Sequence, residues 1–215
     1  MTEEEAKNWI CDHFDVSRET WARLERYVAL LLDEAERQNL ISASTKDHVW
    51  SRHIVDSAQL LLHAPGSDEP SLWVDLGAGA GLPGIVIAIL SDYRVAMIEM
   101  RRKRVEFLQS VIDHLNLTNA SVHLSKVENI RPQLLGGGAA LIISARAYAP
   151  MERLVASAHH LADKQTVWLL PKGQNYENEL AIAQRLWQSD AHAVQSVTAP
   201  DSAILVLRNI RKRGN

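Results

Sequence analysis

The stretch Leu72-Trp-Val-Asp-Leu-Gly-Ala-Gly-Ala-Gly-Leu-Pro-Gly84 places an apolar run, a carboxylate and four glycines in immediate succession. That order predicts a buried strand over 71–76 carrying Asp75, a bare turn, and a helix opening near Pro83. Gly77, Gly79 and Gly81 remove side chains from a turn that must bend sharply and let a ligand touch the backbone. Free N–H groups at the start of the next helix are expected to favour an anionic or polar part of that ligand. The chemistry indicated is the binding of a nucleotide-like cofactor.

The spacing of the glycines selects between cofactors. A dinucleotide fingerprint places its third glycine where this chain has Leu82, with Gly81 and Gly84 on either side. S-adenosylmethionine carries an amino acid in place of the second nucleotide, so no pyrophosphate has to approach the helix there. The next strand, Arg94-Val-Ala-Met-Ile-Glu99, ends in a second acid, and a carboxylate at that point accepts ribose hydroxyls. The expected cofactor is S-adenosylmethionine, held by Gly77, Gly79 and Glu99 among others. An NAD-dependent oxidoreductase is the alternative outside methyl transfer.

These residues need a scaffold, and the rest of the chain describes one. The chain has 215 residues, 47% hydrophobic, enough for a well-buried domain with an appendage. Residues 1–64 read as a helical extension. Ser17 caps a helix with Trp21, Leu24, Val28, Leu31 and Ala35 at helical spacing, and a second helix runs from about Lys46 to Leu62. The connector His63–Pro70, rich in Pro, Gly and Asp, marks a boundary, so that 65–215 forms the catalytic domain.

Beyond the connector, strands and helices alternate, which indicates an α/β Rossmann-like sheet. Strands are expected at 71–76, 94–98, 120–124, 139–144, 165–170, 192–198 and 202–208. Helices are expected at about 83–90, 101–115, 150–162 and 174–187. The turn Ala199-Pro-Asp-Ser202 is too short for a parallel crossover, so the last two strands form an antiparallel hairpin. Seven strands, mostly parallel with that final hairpin, is the class I methyltransferase variation on a doubly wound sheet.

Other classes are disfavoured by composition. The lone cysteine, Cys11, permits no intrachain disulfide and no cysteine-rich metal site. His159-His160 are adjacent and point to different helix sides, so no metal is expected. Net charge is −3, so any nucleic-acid contact must be local. The acidic start and the short apolar runs point to a cytoplasmic protein with no membrane partner, and nothing requires more than a monomer.

Further groups of residues, taken in order, resemble the bacterial 16S ribosomal RNA guanine-N7 methyltransferases, the small-subunit methyltransferase G family. They are Asn39-Leu40 with Arg52-His53-Ile-Val-Asp56-Ser57, then Gly81-Leu-Pro-Gly84, then Lys103-Arg104 with Phe107-Leu108. Ser125-Lys-Val127-Glu128, Ser144-Ala-Arg146-Ala147 and Lys172-Gly173 follow, so the likeness covers nearly the whole chain. It implies methyl transfer from S-adenosylmethionine to N7 of one guanine of 16S ribosomal RNA near the decoding region. The partner would be that RNA or the small ribosomal subunit. It also implies cofactor contacts at Gly77, Leu82, Val127, Glu128 and Arg146. A methyltransferase of another RNA, a protein or a small molecule, and a non-enzymatic assembly factor, are the other readings.

The residues themselves narrow the acceptor. Methylation of a pyrimidine carbon normally needs a cysteine nucleophile, and Cys11 lies far from any strand end. Methylation of an exocyclic amine commonly uses an Asn/Asp-Pro-Pro-aromatic loop, where this chain reads Ser144-Ala-Arg-Ala-Tyr-Ala-Pro150. A ring nitrogen already has a lone pair and no proton to lose, so alignment alone serves it. Arg146 and Lys172, each after a central strand, are the candidate catalytic residues. Arg146 would meet the cofactor's amino-acid end, an RNA phosphate or the guanine O6 edge, or else form a surface ion pair. Lys172 would meet RNA phosphate, or stay solvated. Arg52, His53 and Asp56 would build the RNA side of the pocket, or Arg52 and Asp56 would pair one helical turn apart. Tyr148 would stack on a flipped base or pack. Arg101-Arg-Lys-Arg104 together with Arg211-Lys-Arg213 would form a basic rim.

Overall fold

The computed structural model describes residues 1–66 and 70–214. Helices α1 (Glu3–His13) and α2 (Arg18–Glu34) come first, each begun by a hydroxyl that accepts a backbone N–H, Thr2 and Ser17 respectively. The segment expected as one helix from Lys46 is a succession of short turns. A 3-10 turn over Ala43–His48, a π turn over Trp50–Ile54, helix α3 (Val55–Ala58) and a 3-10 turn over Gln59–His63 follow one another. Of the connector His63–Pro70, residues 67–69 lie outside those described.

The sheet then alternates with helices: β1 (Leu72–Leu76), α4 (Gly84–Leu90), β2 (Arg94–Glu99), α5 (Arg102–Leu115), β3 (Ala120–Leu124), β4 (Ile142–Ala145), α6 (Met151–Ala158), β5 (Val167–Lys172), α7 (Tyr176–Ala183), β6 (Trp187–Gln195) and β7 (Ala203–Lys212). Strand order is β3-β2-β1-β4-β5-β7-β6. The first five strands run parallel, and β7 is antiparallel to both β5 and β6. The expected hairpin is therefore present, with its second strand inserted beside β5.

Alternation along each strand buries both faces of the sheet. Trp73 of β1 joins Leu24, Tyr27, Val86 and Leu108 in one layer, built from α1, α2, α4 and α5. Leu72, Val74 and Leu76 join Leu154, Val155 and Trp168 in the other, under α6. The N-terminal helices thus share one apolar layer with the sheet. Tyr27 also donates its buried hydroxyl to Ala80 O in the glycine turn at 2.9 Å.

One boundary differs by half a strand. The helix expected over 174–187 stops at Ala183, and β6 starts at Trp187 rather than 192. Leu180, Ala183 and Trp187 keep a helical spacing in sequence, yet Trp187 pairs with Lys212 of β7 and packs its ring at a tilt against His159. Cross-strand pairing wins over local periodicity there.

Candidate functional site

The strand order reverses between β1 and β4, and both strands end at the same place, where ligands of doubly wound sheets sit. Gly77, Gly79 and Gly81 all have positive φ, at 64°, 59° and 92°. Their amides, however, are already used. Gly77 and Ala78 donate to Ile98 O, Gly81 and Leu82 to Ala78 O, Gly79 to Glu99 Oε2 and Gly84 to Asp75 Oδ2. The expectation of free N–H groups at the helix start is corrected for Gly84, whose amide is held by Asp75, and the amides of the three turn glycines are likewise bonded within the protein. Gly84 also supplies a close helix approach, because a Cβ there would lie 2.7 Å from Met97 Cγ.

Asp75 is fully buried beneath this turn and also accepts the Ser144 hydroxyl at 2.9 Å, which in turn accepts the Trp73 indole N–H. Burial pushes its carboxyl up to about 7, partly opposed by the hydrogen bonds from Ser144 and the Gly84 amide. Asp75 is thereby a brace tying β1, β4 and α4 together.

A cleft of about 460 Å³ opens between Gly77, the end of β2 and the loop after β3. Its wall combines apolar Ile98, Met100 and Val127 with polar Glu99, Ser125, Glu128, Arg153 and Ser157. Glu99 is 4% exposed and accepts the Gly79 and Arg101 amides. An ionised carboxylate has about four acceptor positions, so capacity remains for a diol. Gly77 lies flat against the Tyr148 ring, which an added Cβ would overlap. A bare backbone, an acceptor and an apolar slot fit the amino-acid, ribose and base portions of S-adenosylmethionine.

A second cavity, about 720 Å³, shares the wall Ala147-Tyr148-Ala149 with the first. Ala147 is left-handed (φ 50°), which turns Arg146 and Tyr148 to different sides of the chain. Arg146 donates to Asp56 Oδ2 at 3.1 Å, to His53 Nδ1 at 2.7 Å and to Arg52 O. Asp56 Oδ1 accepts from Thr198 and Gln59. A guanidinium only donates, so His53 Nδ1 is an acceptor and its ring proton sits on Nε2, directed at Thr45 Oγ1 at 2.8 Å.

Burial, then the charges of Arg146 and Arg52, hold the His53 imidazole down at about 3. A histidine with its folded pKa depressed adds stability above its ordinary value of 6.5 and loses it as pH falls through that window. Unfolding of the wild type in urea should therefore cost about 2 kcal/mol less at about pH 5 than at about pH 7.5 on this account alone. Asp75 acts oppositely, its contribution declining as pH rises from 3.8 to about 7. The comparison with His53→Gln cancels Asp75, and the difference between the two proteins should shrink on acidification. A constant difference would show that His53 titrates normally.

The model of the family described as rRNA small subunit methyltransferase G matches residues 20–206. The chain belongs to that family. Ribosomal RNA small subunit methyltransferase G of Zymomonas mobilis is 45% identical, covering 99% of this chain and 96% of that one. Its counterpart in Rhizorhabdus wittichii is 44% identical over 100% and 96%. Among solved structures, an Aquifex aeolicus SAM-dependent methyltransferase aligns with TM-score 0.57 at 13% identity, over 82% of this chain and 97% of that one. P. horikoshii TYW2 in complex with MeSAdo aligns at 0.54 and 17% identity, over 74% and 62%. At such identities these two speak for the fold alone. The protein is an S-adenosylmethionine-dependent methyltransferase of class I fold, and the NAD-dependent alternative falls away.

In this methyltransferase G chain the expected residues divide between the two cavities. Gly77, Glu99, Val127 and Glu128 line the first cleft. Gly79 reaches it only by holding Glu99, and Leu82 is buried in the helical layer, lining neither cavity. Arg146 lines the second cavity, with Arg52, His53, Asp56 and Lys172. Asp56 pairs with Arg146 and not with Arg52, whose helical turn widens to π geometry. Lys172 is neither solvated nor free: it pairs with Glu179 at 2.7 Å. Gln59, Thr198 and Glu179 escaped the sequence reading: Gln59 lies one turn from Asp56 and was overlooked, whereas no local spacing links Thr198 to Asp56 or Glu179 to Lys172.

The basic rim is also revised. Ala203 at the start of β7 pairs with Lys172 at the end of β5, so β7 runs away from the cleft. Arg211-Lys-Arg213 accordingly emerges at the opposite edge of the sheet from Arg101–Arg104.

Proposed function

We propose that the protein transfers a methyl group from S-adenosylmethionine to N7 of one guanine in 16S ribosomal RNA of the small subunit, near the decoding region. The observation carrying this reading is the state of the second cavity. Asp56 is bonded to Arg146, Thr198 and Gln59, and His53 is neutral with Nδ1 occupied. Neither is available as a base, which suits an acceptor that has a lone pair and no proton to remove. When bound, S-adenosylmethionine supplies an electrophilic methyl group. Glu99 and the flat face of Gly77 would hold the donor, with Val127 and Glu128 beside it. Arg146, kept rigid by Asp56 and His53, would present its guanidinium to the RNA, and the shared wall at Tyr148 would set the direction of approach. Positioning of this kind is worth about 7–11 kcal/mol of barrier.

The exposed Arg101, Arg102 and Lys103 beside the cleft would contact RNA phosphates. Replacing all three by alanine should reduce the slope of log affinity against log salt by roughly one per lost contact, whereas replacing Arg211, Lys212 and Arg213 should not. Equal effects from both sets would remove the rim from this face. No helix among the described residues is long and apolar enough to cross a membrane. The protein would work as a monomer in the cytoplasm, where the small subunit is. The test is labelled methyl transfer to small subunits, naked 16S RNA and extract protein, with label expected in RNA. Label confined to protein or small molecules would reject the reading.

A further inference from the structure

The second cavity contains one ionic pair that the account above leaves unused. Lys172 closes β5 and Glu179 lies on α7, and their charged atoms meet at 2.7 Å with the side chains 11% and 30% exposed. A second Lys172 N–H points to Ala149 O at 3.4 Å, so the ammonium stands next to the wall shared with the cofactor cleft. The third N–H, and Glu179 Oε1, have no protein partner among the described residues. The cavity therefore sets a donor beside the shared wall and an acceptor beside that donor.

A guanine entering with N7 toward the cleft presents the complementary series. Beyond N7 comes O6, an acceptor, and beyond O6 comes N1–H, a donor. We infer that the Lys172–Glu179 pair reads the O6 and N1–H edge of the target guanine and so selects guanine over adenine. This rests on the N7 reading above. Lys172 donates to O6, and Glu179 Oε1 accepts from N1–H. Adenine reverses both groups, with an amine in place of O6 and a bare nitrogen in place of N1–H. Donor would then face donor and acceptor face acceptor, in a site where unpaired polar groups are penalised. Extruded bases are commonly read along this edge. Arg146 and Asp56 are less suited to the task, because each is already engaged with the other and with His53, Gln59 or Thr198.

The simpler alternative is a staple holding α7 against β5, and base analogues separate the two. Small subunits carrying inosine at the methylated position keep N7, O6 and N1–H, while 2-aminopurine keeps N7 but lacks O6 and N1–H. With the unaltered enzyme, inosine should be methylated within about threefold of guanine, and 2-aminopurine at least about a hundredfold more slowly. Glu179→Gln should lower kcat/KM by about thirtyfold with S-adenosylmethionine Kd unchanged. Efficient methylation of 2-aminopurine, or near-normal kcat/KM in Glu179→Gln, would overturn the inference. Should Glu179→Gln fail to fold, the analogue pair decides alone. If the unaltered enzyme does not methylate guanine N7 at all, the parent reading falls, and the role of this pair falls with it.

Discussion

Replacing Arg146 by alanine is expected to lower kcat/KM for the small subunit about a hundredfold while leaving S-adenosylmethionine binding within about twofold. The asymmetry follows from placement, since Arg146 lines the second cavity and not the cleft beside Gly77 and Glu99 proposed for the cofactor. Folding should survive. Asp56 keeps Thr198 and Gln59 on Oδ1, and with its side chain 20% exposed, water should replace the lost guanidinium. The stability cost should thus be near that of a partly exposed pair, about 1 kcal/mol. Loss of the neighbouring positive charge should also let His53 protonate more readily. Titration calorimetry with S-adenosylmethionine, set beside turnover, checks the claim. Cofactor affinity falling in step with turnover would return Arg146 to the cofactor's amino-acid end.

The second large effect is expected at Gly77. Alanine there meets two penalties: a left-handed φ of 64° and overlap of its Cβ with the Tyr148 ring. The conformational term alone is about 1–2 kcal/mol. The ring must then move, and with it the wall that separates donor from acceptor. S-adenosylmethionine affinity should fall at least about thirtyfold in Gly77→Ala, and Tyr148→Ala in the same chain should recover a large part of the loss. Unchanged affinity in the single variant, or no recovery in the double, would show that the cofactor does not lie against this face.

The glycine turn, Glu99 and the alternating strands were legible because each is a local pattern: a strand, a turn, a helix start. The hairpin was legible for the same reason, Ala199–Ser202 being too short for any other connection. What was hidden is non-local. Tyr27 reaches Ala80, Thr198 reaches Asp56, and Gln59 reaches Ser196 and Val197, across separations that no periodicity records. The amide at the helix start was expected to be free because the motif shows which residues bend, not that the Asp75 carboxylate comes to meet Gly84. Arg211-Lys-Arg213 was joined to the wrong face because the direction of β7 depends on its pairing with β5. Local sequence could say that Lys172 ends a strand, but only the packing of α7 brings Glu179 to it.

The most direct measurement is strand scission at N7-methylguanosine, mapped along 16S RNA from cells with and without this protein. The account predicts one cleavage near the decoding region that disappears with the protein and returns when the purified enzyme and S-adenosylmethionine are added to the unmodified subunits. Identical cleavage maps from the two kinds of cell would contradict it.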